Sequence, residues 1–289
     1  MSLLMEFAVK MTCQSCVKKV EESLTGVEGL NIIDLSLEKG TVLVETSLPS
    51  SVVQERIESS GKVAVLKGYG SQSQKDGVPK AVTDSVTAAV AMLGGTIGYG
   101  LGVKGVVRFV QRGDDCVIDG TVDGLSPGYH GLHIHECGDI TEGCNSVGQH
   151  FDLNGGIHGG PDDTREYRHT GDLGNITAGK DGRAVFRITD KFVKVWDIIG
   201  RSIVVTSRED DLGKGKSEMS PIDGNSGERL ACGIISRSAG LFENDKKICA
   251  CDGVTIWDER NRPLAGPGRK VQNGNSLIQN EDKKTCTTQ

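Results

Sequence analysis

Histidine is concentrated in one stretch of the sequence, and this concentration limits what the middle of the chain can form. Five of the six histidines lie between positions 133 and 169, where short apolar runs alternate with turns rich in Gly, Asp and Asn. His133 and His135 are one residue apart on a predicted strand, so their side chains point to the same face. The loops that follow carry four further ligand residues, His150, His158, His169 and Asp172. This density of imidazole and carboxylate groups predicts a metal cluster, and the last four residues suit a closed, structural zinc site.

Length and charge indicate two domains and exclude some classes of partner. The chain has 289 residues and a formal net charge of -6, with acidic and basic residues interspersed. Two separate cores are expected at this length. Because no basic face stands out, we expect proteins, metals or small solutes as partners, and no nucleic acid. The nine cysteines are clustered and odd in number, which is unusual for a secreted disulfide framework, so a reducing compartment is expected.

The first 70 residues carry a pattern typical of a small α+β domain. Apolar residues alternate along residues 5–11, which indicates a strand, and then recur at helical spacing along residues 17–24. A hairpin, a second helix and a last strand follow. Ser51 and Gln54 have the spacing of a capping box at the start of that second helix. The order βαββαβ is that of a ferredoxin-like fold.

Polar and glycine-rich segments divide the rest of the chain. Residues 71–80 are predicted to be a linker, residues 81–240 an all-β domain, and residues 241–289 a mostly disordered tail. Residues 85–103 carry no charge, but their length is marginal for a bilayer and five glycines favour bends. They predict a strand and a glycine-rich turn, and no membrane span.

A second metal site is predicted in the sequence MTCQSC, which joins the first strand to the first helix. Cys13 and Cys16 would face the positive end of the helix dipole, which lowers thiol pKa values. Two soft thiolates without a further ligand nearby suit Cu(I) better than zinc, which seeks four ligands. A thioredoxin-like redox pair is the alternative, and the βαββαβ order disfavours it. Residues 5–68 resemble the heavy-metal-associated domain of copper chaperones and copper-pumping ATPases, whose MTCxxC loop carries Cu(I) between proteins.

The all-β domain resembles copper/zinc superoxide dismutase over residues 86–238. The motifs that carry the resemblance occur in the family's order, GLHIHECGD, GCNSVGQHFD, HGGPDD, RHTGDLGNITA, IIGRSIVV, DDLGKG and GERLACG. The resemblance implies an eight-stranded Greek-key β-barrel. The zinc ligands that it implies are His150, His158, His169 and Asp172.

The same resemblance implies further roles around a copper site. The copper ligands that it implies are His133, His135 and His150, the last of which would bridge both metals. Cys144 and Cys232 would form an intrasubunit disulfide. Arg229 would be the active-site arginine, and Asp210 the carboxylate between the two metal sites.

One position departs from the dismutase pattern. In the enzymes, the strand after Gly-Arg ends in a histidine that is the fourth copper ligand, and this chain has Thr206 there. A neutral hydroxyl is a poor ligand for copper beside imidazole. We therefore expect a barrel that keeps zinc, has only a vestigial copper site at His133 and His135, and is not an enzyme.

The tail contains a third cysteine pair, Cys249 and Cys251, in the sequence KICACDG. A CxC disulfide closes a tight, strained ring, so it is expected to pass its bond readily to another dithiol. The two thiols are also candidate copper ligands. Cys116, Cys137 and Cys286 have no assigned role.

The order of a heavy-metal-associated domain, a dismutase-like domain and a CxC tail resembles the copper chaperones for superoxide dismutase through almost the entire chain. The resemblance implies delivery of Cu(I) to copper/zinc superoxide dismutase and formation of that enzyme's disulfide within a heterodimer. It also implies a homodimer through the barrel. The expected location is the cytosol, with a fraction in the mitochondrial intermembrane space or the nucleus.

Two other functions stay open at this point. One is a superoxide dismutase with fused copper-binding segments, which the absence of His at Thr206 argues against. The other is a copper buffer without a delivery role. The CxC pair argues against a buffer, because storage of copper needs no disulfide donor.

Overall fold

The structure is a computed structural model that describes residues 2–70, 87–94 and 102–241, together with Trp257. A four-stranded sheet organises the N-terminal domain, and an eight-stranded sheet organises the domain that follows. The predicted linker and the tail cysteines Cys249, Cys251 and Cys286 lie outside the described residues. Within the described ranges, no helix has the length and apolar character needed to cross a membrane.

The N-terminal domain has the predicted βαββαβ order. Its elements are β1 (Leu3–Val9), α1 (Gln14–Leu24), β2 (Leu30–Ser36), β3 (Thr41–Thr46), α2 (Ser50–Ser59) and β4 (Ala64–Gly70). The sheet is antiparallel, in the order β2-β3-β1-β4. Alternate residues of β1, such as Met5 and Phe7, pack with Val20 of α1 and Ile57 of α2 in one core. Both helices therefore cover the same face of the sheet.

The second domain is the expected antiparallel barrel. Its strands are β5 (Ala88–Leu93), β6 (Lys104–Arg112), β7 (Asp115–Asp123), β8 (Gly128–His135), β9 (Asp172–Ala178), β10 (Arg183–Asp190), β11 (Ser202–Thr206) and β12 (Arg229–Arg237). They are arranged in the order β10-β7-β6-β5-β12-β11-β8-β9, and the end strands β10 and β9 contact each other. Strands that are distant in sequence, such as β5 and β12, are neighbours, as Greek-key connections require.

Short helical turns lie in the loops of the barrel, and the interior is apolar. The turns are the 3-10 turn Gly143–Asn145, α3 (Val195–Ile198) and α4 (Ser220–Asp223). Phe109, Ile118, Leu132, Ile134 and Ile203 are fully buried in the interior. Because side chains alternate along a strand, the residues next to these core residues on each strand point to the outside of the barrel.

Asp119, next to Ile118 on β7, lies at the contact between the two domains. Its Oδ2 atom accepts hydrogen bonds from the Ser50 amide, at 2.9 Å, and from the Tyr69 hydroxyl. Arg187 on the adjacent β10 donates to the Leu48 carbonyl at 2.6 Å. Burial and the Asp119 charge raise the pKa of Tyr69 well above its ordinary value, so the hydroxyl keeps its proton and donates. The barrel thus binds the N-terminal domain through buried polar contacts.

The predicted capping box of α2 is wrong. The helix begins at Ser50, one residue before Ser51, and its N-cap makes no side-chain hydrogen bond. The Ser50 amide donates instead to Asp119, and Gln54 donates to the Ala64 carbonyl. The acceptor at the helix start comes from the second domain, so local sequence spacing could not reveal it.

The interdomain contact lies at one end of the N-terminal sheet, and the cysteine loop lies at the other. In the β1–β4 register, Tyr69 is opposite Met5, whereas Val9, which leads to Cys13, is opposite Ala64. Four residues of strand separate the two ends, or about 13 Å. Cys13 is exposed. The loop therefore stays accessible while the domains are in contact.

We expect Asp119→Ala to weaken the contact between the domains. The substitution leaves the Tyr69 hydroxyl and the Ser50 amide without their acceptor, which costs about 2 kcal/mol. Small-angle X-ray scattering of the metal-free chain should show a larger radius of gyration. Asp114→Ala, in the exposed turn before β7, is the matched control and should leave the radius unchanged. Equal radii for the two variants would contradict the assigned role of Asp119.

Candidate metal centres

Cys13 and Cys16 lie where β1 passes into α1, as the sequence predicts. Cys13 is the N-cap residue of α1 and is exposed, whereas Cys16 is buried in the first turn. Both cysteines are free, and their Sγ atoms are 3.2 Å apart. The two sulfurs are close enough to bind one ion together, and the exposed sulfur is open to an incoming ligand.

Hydrogen bonds favour the thiolate form of Cys16. The backbone amide of Thr12, with the side chains of Cys13 and Thr12, lowers the pKa of Cys16 to about 6, and the Lys62 side chain acts in the same direction. Thiolates are the form that binds soft metal ions. Cys16 is therefore available as a metal ligand at neutral pH.

A second centre lies outside the barrel core, under the loop between β8 and β9. Leu132 and Ile134 point into the core, so His133 and His135 on the same strand point outward into the centre. The loop returns beside them at His150, which forms an isolated antiparallel bridge with His135. All three histidines are buried. The strand and the loop together hold the imidazoles in a preformed cluster.

The four residues predicted as zinc ligands are brought together around the carboxylate of Asp172. Its Oδ1 atom is 2.8 Å from Nδ1 of His150 and 3.1 Å from Nδ1 of His158. Its Oδ2 atom is 3.3 Å from Nδ1 of His169. One group of ligand atoms, all within 4.8 Å of one another, consists of His133, His150, His158 and Asp172, and His169 lies outside this group. Three imidazoles and one carboxylate this close together suit a four-coordinate zinc site.

Two ring nitrogens of the cluster, Nδ1 of His133 and Nε2 of His135, are buried without a hydrogen-bond partner. Nδ1 of His158 and Nδ1 of His169 have only the Asp172 carboxylate beside them, at 3.1 and 3.3 Å. A buried polar atom without a partner costs free energy, and native structures rarely keep several in one place. Bound metal ions satisfy such nitrogens directly. The cluster therefore fits metal ions, with zinc at the Asp172 side.

His150 lies between the two halves of the cluster. Its ring centroid is 4.1 Å from that of His133 and 4.9 Å from that of His135. On the other side it is 5.2 Å from the ring of His158. Burial and the neighbouring His133 lower the pKa of His150 to about 3, so the ring is neutral. A neutral imidazole offers one nitrogen to a metal, and His150 would hold two metals, as the dismutase resemblance implied, after its remaining ring proton is lost to give imidazolate.

Asp210 contacts a histidine in each half of the cluster. Its carboxylate is 2.9 Å from Nε2 of His133 and 2.8 Å from Nε2 of His158. Burial alone would raise the pKa of Asp210, but these hydrogen bonds outweigh burial and lower that pKa to about 2. A carboxylate on the outer nitrogen fixes the orientation of an imidazole and leaves its Nδ1 for a metal. Asp210 therefore contacts one histidine from each half of the cluster, and its role between two metal sites stays a prediction.

Thr206 lies at the end of β11, beside the cluster. Its hydroxyl donates to the Gly131 carbonyl at 3.2 Å, and its carbonyl accepts from Nδ1 of His130 at 2.8 Å. Gly131 has no room for a Cβ atom, which would lie 2.6 Å from the Thr206 hydroxyl and 2.7 Å from the His133 ring. The hydroxyl is therefore committed to the backbone next to His133.

A disulfide and an arginine support the loop that carries His150. Cys144 and Cys232, the pair that the resemblance implied, are bonded, with Cα atoms 5.6 Å apart. Arg229 donates to the carbonyls of Cys144 and Gly148, each at 2.8 Å. Nδ1 of His135 lies 3.0 Å from the same Gly148 carbonyl. The loop is thus connected to β12 and to β8.

Two residues near the centre were missed in the sequence. Arg168 is 1% exposed, and its guanidinium donates to the carbonyls of His169 and Pro161 and pairs with Asp190 at 2.9 Å. His130 connects Thr206 to the loop before β8. An arginine in a polar loop is usually solvent-exposed, so only its place next to His169 could have drawn attention to it.

The remaining cysteines of the described chain differ in exposure. Cys116 is buried in the barrel core, and burial raises its pKa. Cys137 is exposed in the loop after β8. Neither is near enough to the ligand groups to be included in the metal cluster.

Two family models match separate parts of the chain. Residues 6–62 match the heavy-metal-associated domain, and residues 103–235 match copper/zinc superoxide dismutase (SODC). The first match contains Cys13 and Cys16, and the second contains the whole histidine cluster. The two matches therefore indicate copper and zinc binding in general terms.

We expect Asp172→Asn to abolish stabilisation by zinc. Zinc at about one hundred times its dissociation constant stabilises a folded protein by about 2.7 kcal/mol. This stabilisation should raise the thermal unfolding midpoint of the parent barrel by about 5 °C, and that of the variant by much less. Asp162→Asn, exposed in the same loop, is the matched control. A zinc response in the Asp172 variant equal to that of the control would refute the assigned ligand set.

We expect Thr206→His to strengthen copper binding by the barrel. The change supplies an imidazole where the dismutases have their fourth copper ligand, and the affinity should rise by at least about tenfold. Electron paramagnetic resonance can measure Cu(II) bound to histidine, apart from Cu(I) on the cysteines. Thr206→Ser keeps a hydroxyl and is the control. Unchanged Cu(II) binding in the histidine variant would count against the missing-ligand argument.

Curated relatives are similar to the chain over nearly its full length. Relatives named "Copper chaperone for superoxide dismutase" are 56% identical in Sus scrofa and 57% in Homo sapiens, each over 92% of this chain and 92% of the relative. One from Oryza sativa subsp. japonica, named as chloroplastic, is 35% identical over 89% of this chain and 71% of its own length.

A solved structure is similar to the barrel part alone. It is titled "Crystal Structure Analysis of the clock protein EA4", with a TM-score of 0.50 and 33% identity over 55% of this chain and 99% of that one. The Sus scrofa and Homo sapiens relatives, in contrast, each match 92% of this chain, which is more than the barrel alone spans. The chain therefore belongs to the family of copper chaperones for superoxide dismutase.

Proposed function

We propose that this chain carries Cu(I) on Cys13 and Cys16, delivers it to a copper/zinc superoxide dismutase, and promotes the disulfide of that enzyme. The curated relatives are named as copper chaperones and not as enzymes, and the chain is a copper chaperone for superoxide dismutase by family. One observation carries the proposal. The chain combines an exposed dithiol with a dismutase-like centre that has Thr206 where the dismutase resemblance implied a histidine.

The arrangement of the dithiol suits transfer of its cargo. Cys16 holds the ion from the buried side, while Cys13 is exposed and can be replaced by a ligand of the acceptor. Cu(I) tolerates low coordination numbers, so an incoming thiolate can join before an outgoing one leaves. The ion passes in this way to Cys249 and Cys251, or directly to the histidines of the target.

The barrel serves recognition rather than catalysis in this proposal. Zinc on His150, His158, His169 and Asp172 would stabilise the loop between β8 and β9, as structural zinc does. A barrel shaped like a dismutase subunit offers the surface through which such subunits pair. We propose that the chain forms a heterodimer with the target through this surface, and a homodimer in its absence.

The redox step uses the tail pair as disulfide donor. A thiolate of the target attacks one sulfur of the Cys249–Cys251 disulfide, which releases the other as a thiolate. The second target thiolate breaks the mixed disulfide, so the target loses two electrons and the tail pair gains them. The protons of the target thiols end on the tail thiols. Molecular oxygen then takes two electrons and two protons from the tail pair and gives hydrogen peroxide.

Superoxide dismutase activity after mixing tests both steps. The Cu(I)-loaded chain is added under air to metal-poor, disulfide-reduced dismutase, with a copper chelator present. A chain with Cys13→Ser and Cys16→Ser should deliver no copper. A chain with Cys249→Ser and Cys251→Ser should still bind Cu(I) at Cys13 and Cys16 but leave the target disulfide unformed. Cys137→Ser, at an exposed cysteine outside the proposed path, is the control and should activate fully.

Two outcomes would oppose the proposal. Full activation by the Cys249 and Cys251 double variant would indicate a copper carrier without a redox role. Activity from the chain alone, without added dismutase, would indicate that the barrel is an enzyme. The first result would require another role for the tail. The second would require another role for Thr206.

A further inference from the structure

The helix-free face of the four-stranded sheet is buried, although α1 and α2 cover only the opposite face. The strand alternation places Leu4, Glu6 and Ala8 of β1 on this face, with Leu43 of β3 beside them. Their exposed fractions are 1%, 4%, 5% and 6%. A sheet face without a covering layer is solvated. We call these four residues the open-face patch.

An ion pair lies at the centre of the patch. Glu6 accepts a hydrogen bond from Lys67 of β4 at 2.9 Å, and the two side chains are 5% and 15% exposed. Charged side chains on a sheet surface normally stay in water, because burial costs hydration energy. The low exposure of this pair is unusual for charged side chains on a sheet surface.

The chain that leaves the barrel reaches this patch. Leu241 packs against Leu4 and Leu43 in a small apolar cluster. The preceding Gly240 lies so close to Gly68 of β4 that no Cβ atom fits at Gly68. These two residues cover one end of the patch. Ala8, at its other end, is four strand residues from Leu4, or about 13 Å away.

We propose that the residues directly after Leu241, residues 242–251, dock on the open-face patch and complete its cover. Their starting point is fixed by Leu241, which already lies on the patch. Ten extended residues span up to about 33 Å, more than the length of the patch. The sequence FENDKKICAC offers Phe242 and Ile248 to the apolar floor, and lysines to Glu6.

This docking gives the cysteine pair of the tail a place near the copper loop. Cys249 is eight residues after Leu241, a reach of up to about 28 Å along a sheet whose far end leads to Cys13. A segment held on the same domain has a high effective concentration toward that loop. The transfer of Cu(I) between the two pairs rests on the proposed function, whereas the docking itself does not.

Limited trypsin digestion of the metal-free, reduced full chain tests the docking. Lys246 and Lys247 lie within the proposed docked segment, and Lys283 and Lys284 near the C-terminus are the internal reference. Mass spectrometry gives the cleavage rate at each pair. We expect cleavage after Lys246 and Lys247 to be at least about tenfold slower than at the reference, because proteolysis follows the undocked population.

Substitutions on both sides of the proposed contact show whether docking is the cause of the protection from trypsin. Leu241→Glu changes the segment and leaves the sheet intact, and Leu43→Glu changes the patch. Both should bring cleavage after Lys246 and Lys247 to within about twofold of the reference rate. Val63→Glu, at a 37% exposed position of the same domain outside the patch, is the matched control and should keep the protection.

Several outcomes would overturn the docking. Equal cleavage at both lysine pairs in the parent chain would show that the segment is not covered. Protection that survives Leu241→Glu would place the segment on another surface. Protection that disappears on dilution would assign the patch to a second copy of the chain. None of these outcomes depends on copper or a target, so a failure of the proposed function leaves this test intact.

Discussion

The contact of Asp172 with three imidazoles is the interaction on which the dismutase-like centre depends. Besides Nδ1 of His150, His158 and His169, its Oδ2 atom receives the amides of Gly159, at 3.1 Å, and His169, at 2.8 Å. Burial opposes its charge, but the histidine hydrogen bonds lower the pKa of Asp172, so the carboxylate stays ionised. The long loop between β8 and β9 is thus folded around one fixed charge.

The two candidate metal centres differ in the exposure of their ligands, which determines whether a bound ion is retained or transferred. The imidazole cluster is buried, and its residues come from strands and loops that the disulfide and Arg229 connect. The dithiol lies at an exposed loop, at the end of its sheet away from Asp119. A buried, closed centre retains its ion, whereas an exposed pair of soft ligands exchanges it. In the proposed function, the buried centre therefore holds a structural metal and the exposed dithiol holds the metal in transit.

Local patterns in the sequence were sufficient for the elements and for the clustering of the histidines, and insufficient for contacts between distant residues. Alternation along residues 5–11 predicts β1 because one face of that strand is packed in a core. The histidines were found because ligand residues are rare and clustered. The cap of α2 was wrong, and Arg168 was missed, because Asp119 and Asp190 lie far along the chain from the groups they bind. Such pairings depend on the tertiary fold.

The central claim is that copper leaves the cysteine pair of this chain and arrives in a dismutase. Native mass spectrometry of the Cu(I)-loaded chain with metal-poor, reduced dismutase, in the presence of a copper chelator, follows the ion directly. The account predicts a transient complex of one chain of each kind, followed by a copper-bearing dismutase and a copper-free chaperone. Two results would contradict the account. In one, copper stays on this chain; in the other, copper is lost to the chelator while the dismutase remains metal-poor.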